Sequence, residues 1–172
     1  MATGHVLLGF FCTAFIGWCG VSDNGIVRNE QGARVVIRAA QAEVGVLEVG
    51  QNAGKRVREY LAYTGVRVPA PYCASFVSWC FGQAGYAAPR TAWSPALFPA
   101  GRCRAAPLPG MVMGIYFPAL KRIGHVGLVE RVQGDFVVCI EGNTSVDGGR
   151  EGVGVFRRLR HRRTVCKYAD WL

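Results

Sequence analysis

"APYCASFVSWCFGQAG", residues 70–85, decides the layout of the chain. Pro69 and Pro71 bias their predecessors toward extended backbone, so a helix begins only after them. Ala74, Phe76, Val77, Trp79, Cys80, Phe81 and Ala84 leave almost no polar face, and Gly85 stops the run. A helix that is apolar all round belongs in the interior. The spacing therefore predicts a central helix from Cys73 to Ala84, with the other elements layered around it. Cys73 stands at its first position. A helix N-terminus carries partial positive charge and free N–H groups. A thiol there ionises more easily than the free value of about 8.5 allows, and the same N–H groups suit an oxyanion. Cys80, two turns on, has neither advantage and reads as core packing. Taken alone, Cys73 is equally a reactive thiol or a packed one.

Before this helix, "GARVVIRAAQAEVGVLE" (32–48) has apolar residues at 35, 36, 39, 40, 44 and 47, which is helical spacing. "KRVREYLAYTG" (55–65) predicts a second helix ended by Gly65. After it, residues 86–109 hold five prolines and read as loop with a short helical turn near Trp93–Phe98. Beyond Gly110 come "MVMGIYF", "HVGLVERV", "DFVVCIEG" and "VGVFRRLR", short β-prone runs separated by Gly and polar turns. Helices first and strands afterwards indicate an α+β domain with an antiparallel sheet. There is no internal repeat.

A nucleophilic cysteine needs a base and a group to orient that base. Of the three histidines, His5 lies in an apolar leader and His161 among arginines that disfavour its protonation. His125 remains. If "HVGLVERV" and "FVVCIEGN" form a hairpin around Gln133-Gly134-Asp135, opposed residue numbers sum to 268. His125 then falls opposite Asn143, and Gly127 opposite Glu141. Opposed residues share a face. His125, Glu141 and Asn143 converge, with Gly127 leaving room beside the ring. The other face carries Val126, Leu128, Val132, Phe136, Val138 and Ile140, a candidate core. Glu141 can accept from one imidazole nitrogen so that the other faces a thiol; Asn143 can brace the arrangement or polarise a substrate. The plainer alternative makes "EGNTS" a strand end and turn.

The chain has 172 residues, enough for one domain, and 51% of them are hydrophobic, enough for a core. Its net charge is +9, which favours acidic partners. Much of the charge lies in "FRRLRHRR" (156–163), first of all a solvated strand edge. Specific nucleic-acid binding is disfavoured, since no zinc knuckle, helix-turn-helix or aromatic RNA-reading motif accompanies it. Seven cysteines without a C-x-x-C pair argue against a structural zinc site; Cys103 and Cys166 are candidates for a disulfide in an oxidising compartment. The leader is uncharged over sixteen residues, Val6 to Val21. That is short for a membrane span of about 20 residues and sized for the apolar region of a secretory signal, although no basic residue precedes it and no A-x-A site follows. A buried N-terminal helix is the alternative, and "SDNG" (22–25) is a natural junction.

"PYCASFVSWCFGQAG", then "GHVGLVE", then "IEGNTS" resemble the CHAP domains, the cysteine- and histidine-dependent amidohydrolase/peptidases of the wider NlpC/P60, papain-like group. The resemblance spans 33–172, and "NAGKRVREYLAYTG" resembles the helix before that family's cysteine. It implies a papain-like α+β fold with N-terminal helices packed on an antiparallel sheet. It implies a peptidoglycan hydrolase, either an N-acetylmuramoyl-L-alanine amidase or an endopeptidase. Cys73 is then the nucleophile, His125 the base and later acid, Glu141 the orienting residue and Asn143 a further polar member. Tyr72 and Trp93 are expected at the groove, or else as packing aromatics. Met111 stands where the family often has the acid of Pro-Gly-Asp, and no Asp-rich calcium loop precedes Cys73, so no metal or cofactor is expected. The implied setting is periplasmic or secreted, bacterial or phage. The implied partner is peptidoglycan, with an immunity or inhibitor protein if the role is antibacterial. Membrane contact would come through the 1–25 leader alone. The alternative of another class is a non-catalytic wall-binding or scaffold module that keeps the fold.

Overall fold

The computed structural model of the chain describes Met1, residues 29–145 and residues 152–172. The leader from residue 2 to 25, with His5, Cys12 and Cys19, lies outside the described residues. Among the described residues three α-helices precede the strands: α1 (Glu30–Gln41), α2 (Lys55–Tyr63) and α3 (Cys73–Gln83). Asn29 caps α1 by accepting from Gly32 N at 2.8 Å. The helix stops seven residues short of the apolar spacing that predicts it. The chain turns at Gly45, where φ is +95°. Val44 and Val46 still reach the core, now from irregular backbone. The turn also brings Glu43 inward, where it accepts from Arg56 Nε at 2.7 Å.

α3 is the centre of the molecule: every residue from Cys73 to Phe81 is buried. It packs on α1 and α2 on one side and on two strands of the sheet on the other. Gly82 lets α2 come close, since a Cβ there would lie 2.4 Å from the Tyr63 ring. Tyr60 of α2 meets Phe76 edge-on, with ring centroids 5.3 Å apart.

Among the described residues the strands form one antiparallel six-stranded sheet. They are β1 (Cys103–Arg104), β2 (Val112–Phe117), β3 (Arg122–Gln133), β4 (Phe136–Thr144), β5 (Gly154–His161) and β6 (Lys167–Ala169). Their order across the sheet is β1-β6-β2-β3-β4-β5. The α+β arrangement is the expected one. The short strands β1 and β6 were not foreseen: two or three residues carry no readable alternation, and their pairing is made across the molecule. The sheet is buried on both faces. Val126, Leu128 and Ile140 join the helices in the main core. Met111, Met113, Val129, Val137 and Cys139 form a smaller cluster with Val165 and Tyr168.

The β3–β4 hairpin departs from its expected form. The turn is Gly134-Asp135, with Gln133 opposite Phe136 and opposed numbers summing to 269. A bulge at Glu130 then restores 268: Val129 faces Cys139 and Leu128 faces Ile140. The extra residue turns its carboxylate away from the ladder. Glu130 accepts from Gln41 Nε2 of α1 at 2.6 Å and from Arg157 Nε of β5 at 3.0 Å. The bulge also inverts the alternation. Val132 therefore shares the face of Val137 and not that of Leu128. Val132 and Phe136, expected in the core, are each 39% exposed at the hairpin end.

Candidate active site

Cys73 is the first residue of α3. Tyr72 precedes it as N-cap without a side-chain capping bond, so the first-turn N–H groups are not consumed by a cap. The Cys73 sulfur is 3.6 Å from Ser94 Oγ. His125 and the Val126 N–H lie close enough to the sulfur to favour its thiolate. His125 comes from β3 and is 7% exposed. Its Nε2 donates to Glu141 Oε2 at 2.8 Å, which leaves Nδ1 to face the sulfur. Glu141, on β4, is fully buried. Arg160 of β5 clamps it through both oxygens, Nε to Oε1 at 2.8 Å and Nη2 to Oε2 at 2.6 Å. A Cβ at residue 127 would sit 2.6 Å from Glu141 Cγ, so Gly127 makes the room this carboxylate occupies.

These contacts set the charges. Burial pushes the Cys73 thiol up, but the hydrogen bond and charge of His125, with help from Ser94 and Val126, outweigh it and hold the thiol below its ordinary value. Burial alone would lower His125; its bonds to Cys73 and Glu141 raise it to about 9. Burial would raise Glu141, yet Arg160 and His125 bring it down to about 2. The arrangement is a thiolate–imidazolium pair backed by an ionised carboxylate. Cys80 is the contrast: burial pushes its thiol well up.

The pair opens into a cavity of about 290 Å³ that Trp93, Ser94, Arg122 and Asn143 help to line. Asn143 is 6% exposed and takes a left-handed conformation, φ 52°, where the β4–β5 register shifts. Asn tolerates that region better than most residues. Trp93 is 53% exposed. Tyr72 does not belong to the groove. Its side chain is fully buried and stacks on Tyr60, with centroids 5.9 Å apart. The side chain before Cys73 points into the helix layer because the cysteine takes the direction of the cavity. Cys103 and Cys166 are free thiols, not a disulfide. Three neighbours of the site escaped the sequence reading. Ser94 sits in a proline-rich loop, in a 3-10 turn at Ser94–Leu97. Arg122 begins a strand. Arg160 hides among similar arginines, and only the β4–β5 register singles it out.

Residues 63–143 match the family model of the CHAP domain. That stretch is similar to the CHAP domain family. The matched stretch runs from the last residue of α2 to Asn143, and so takes in Cys73, His125, Glu141 and Asn143. Among the solved structures that resemble the chain are two of Ly7917. One is a crystal structure of Ly7917 (18% identity, TM-score 0.48), aligned over 79% of this chain and 60% of that one. The other is Ly7917 with the hydrolyzing product of MDP (19% identity, TM-score 0.44), over 79% and 61%. The chain thus spans less than two thirds of the length of Ly7917. No curated protein gives a significant match. Among the described residues no group of three His, Cys, Asp or Glu side chains is placed to hold a metal ion.

Proposed function

We propose that the protein is a peptidoglycan hydrolase that cuts amide bonds with a thiol nucleophile, as an N-acetylmuramoyl-L-alanine amidase or a peptidoglycan endopeptidase. One observation carries this reading. Cys73 heads a buried helix, His125 draws its thiol toward the thiolate, and Glu141 holds His125 at 2.8 Å, all beside an open cavity. A packed structural thiol has no need of an ion-paired imidazole. The similarity to CHAP domains supports the substrate class.

In the proposed reaction the Cys73 thiolate attacks the amide carbonyl. Backbone N–H groups at the head of α3 receive the oxyanion. His125 gives its Nδ1 proton to the leaving amine, and the acyl-enzyme remains on sulfur. The neutral imidazole then takes a proton from water, whose oxygen attacks the thioester and releases the acid. Throughout, Glu141 accepts from Nε2–H and holds the ring in register. Such an enzyme would work at the cell wall, outside the cytoplasmic membrane.

The test is digestion of purified peptidoglycan, with the new termini read by mass spectrometry. A freed L-Ala amino group means amidase; a cut inside the stem or bridge means endopeptidase. Cys73→Ala abolishes either product. Undiminished digestion by Cys73→Ala excludes the thiol mechanism.

A further inference from the structure

Arg122 lines the same cavity as Cys73 and His125 and stands three residues before His125 on β3. That separation is about 10 Å along a strand. Its guanidinium lies over the Trp93 ring, 4.2 Å from the centroid. Its Nη1 donates to Ile123 O at 3.0 Å. That bond takes up a single N–H of the guanidinium's five. The remaining charges near the cavity are paired: Cys73 with His125, and Glu141 with Arg160. Among the described residues no carboxylate lines the cavity, and none forms an ion pair with Arg122.

We propose that Arg122, laid on Trp93 at the cavity, is a subsite for a free carboxylate carried by the substrate close to the scissile amide. This rests on the amide-hydrolase reading above and adds the charge of the substrate to it. A guanidinium edge matches a carboxylate through two parallel hydrogen bonds. An exposed tryptophan beneath it shields one face from water and supplies apolar contact to the neighbouring substrate atoms. A carboxamide at the same place loses the charge and must present one acceptor and one donor to an edge that only donates.

The test reads binding at Cys73 directly. The probes are the peptide L-alanyl-γ-D-glutamyl-L-lysine and its glutamate α-carboxamide. Each is titrated as a protectant of Cys73 against iodoacetamide, and the Cys73 peptide is followed by mass spectrometry because Cys103 and Cys166 also react. In the wild-type protein the carboxylate peptide should protect at about tenfold lower concentration, the scale of one charge-assisted pair. Arg122→Gln should bring that ratio to about one. Arg122→Lys, which keeps the charge without the fork, should retain part of it. Equal protection by the two peptides, no protection by either, or a ratio that survives Arg122→Gln overturns the subsite. If the ratio behaves as expected but neither peptide nor peptidoglycan is ever cut, the hydrolase reading falls and the subsite stands.

Discussion

Cys73 and His125 exchange a proton over a distance set by two different elements, so their titration is the most direct readout of the site. The thiol lies below its ordinary value and the imidazole at about 9. Alkylation of Cys73 should therefore persist well below the pH at which Cys166, whose thiol burial pushes up, stops reacting, and peptide mapping after pulses at several pH values checks this. Hydrolysis should fall as pH rises through about 9, where His125 loses the proton it gives to the leaving amine; a kcat/KM profile measures that limb. Stability follows the same groups. His125 is raised, so its contribution is full below its ordinary 6.5 and is lost as pH rises through about 9. Glu141 is depressed, so its contribution is full above its ordinary 4.5 and is lost as pH falls toward about 2. Arg160 acts through Glu141 and is a positioning residue. Arg160→Met leaves a buried carboxylate short of its charge partner, a change that costs about 3 kcal/mol or more in comparable sites. Glu141 should then titrate higher, and His125, rid of a nearby cation while Glu141 stays ionised, should hold its proton longer, moving the alkaline limb of the kcat/KM profile above about 9. A purely structural arginine would change the melting temperature without moving that limb.

At the scale of elements, the β3–β4 hairpin decides whether His125 and Glu141 meet. The turn at Gly134-Asp135 alone would carry a register one residue away from the one observed at the site; the bulge at Glu130 corrects it. Gly127 then gives Glu141 its place. Gly127→Ala sets a methyl 2.6 Å from Glu141 Cγ and 3.1 Å from the Ile140 carbonyl oxygen. The strand backbone cannot yield as a side-chain tip can, so Glu141 moves. Activity should fall by about tenfold or more, since a misplacement of about 1 Å can cost on the order of a hundredfold. Steady-state hydrolysis, with circular dichroism to show that the fold persists, checks this. Deeper in the layer, Phe76→Ala removes a fully buried ring between α2 and the sheet. It should cost about 3–5 kcal/mol in urea unfolding.

The whole molecule carries a net charge of +9. An attraction of that kind to anionic wall polymer acts at long range and is screened by salt. Cys73→Ala protein, which leaves the wall intact, should co-sediment with purified walls at low ionic strength and be released at high. The screening length shrinks from about 30 Å at 0.01 M to about 3 Å at 1 M. Retention unchanged over that range would mean that charge is not what holds the protein there. Part of this architecture was legible in the linear chain. The apolar helix, the thiol at its head and the strand carrying His125 all rest on local spacing, and local spacing survives folding. The place where α1 ends, the bulge that sets the Glu141 register and the face of Val132, the exposure of Phe136, and the inward turn of Tyr72 were not legible. Each is set by a bulge, a turn or a neighbour whose cost is weighed only when layers meet. Ser94, Arg122 and Arg160 belong to the same class. They come from a loop, a strand start and an arginine run that share no pattern, and only packing of the sheet against α3 brings them to one sulfur, one ring and one carboxylate.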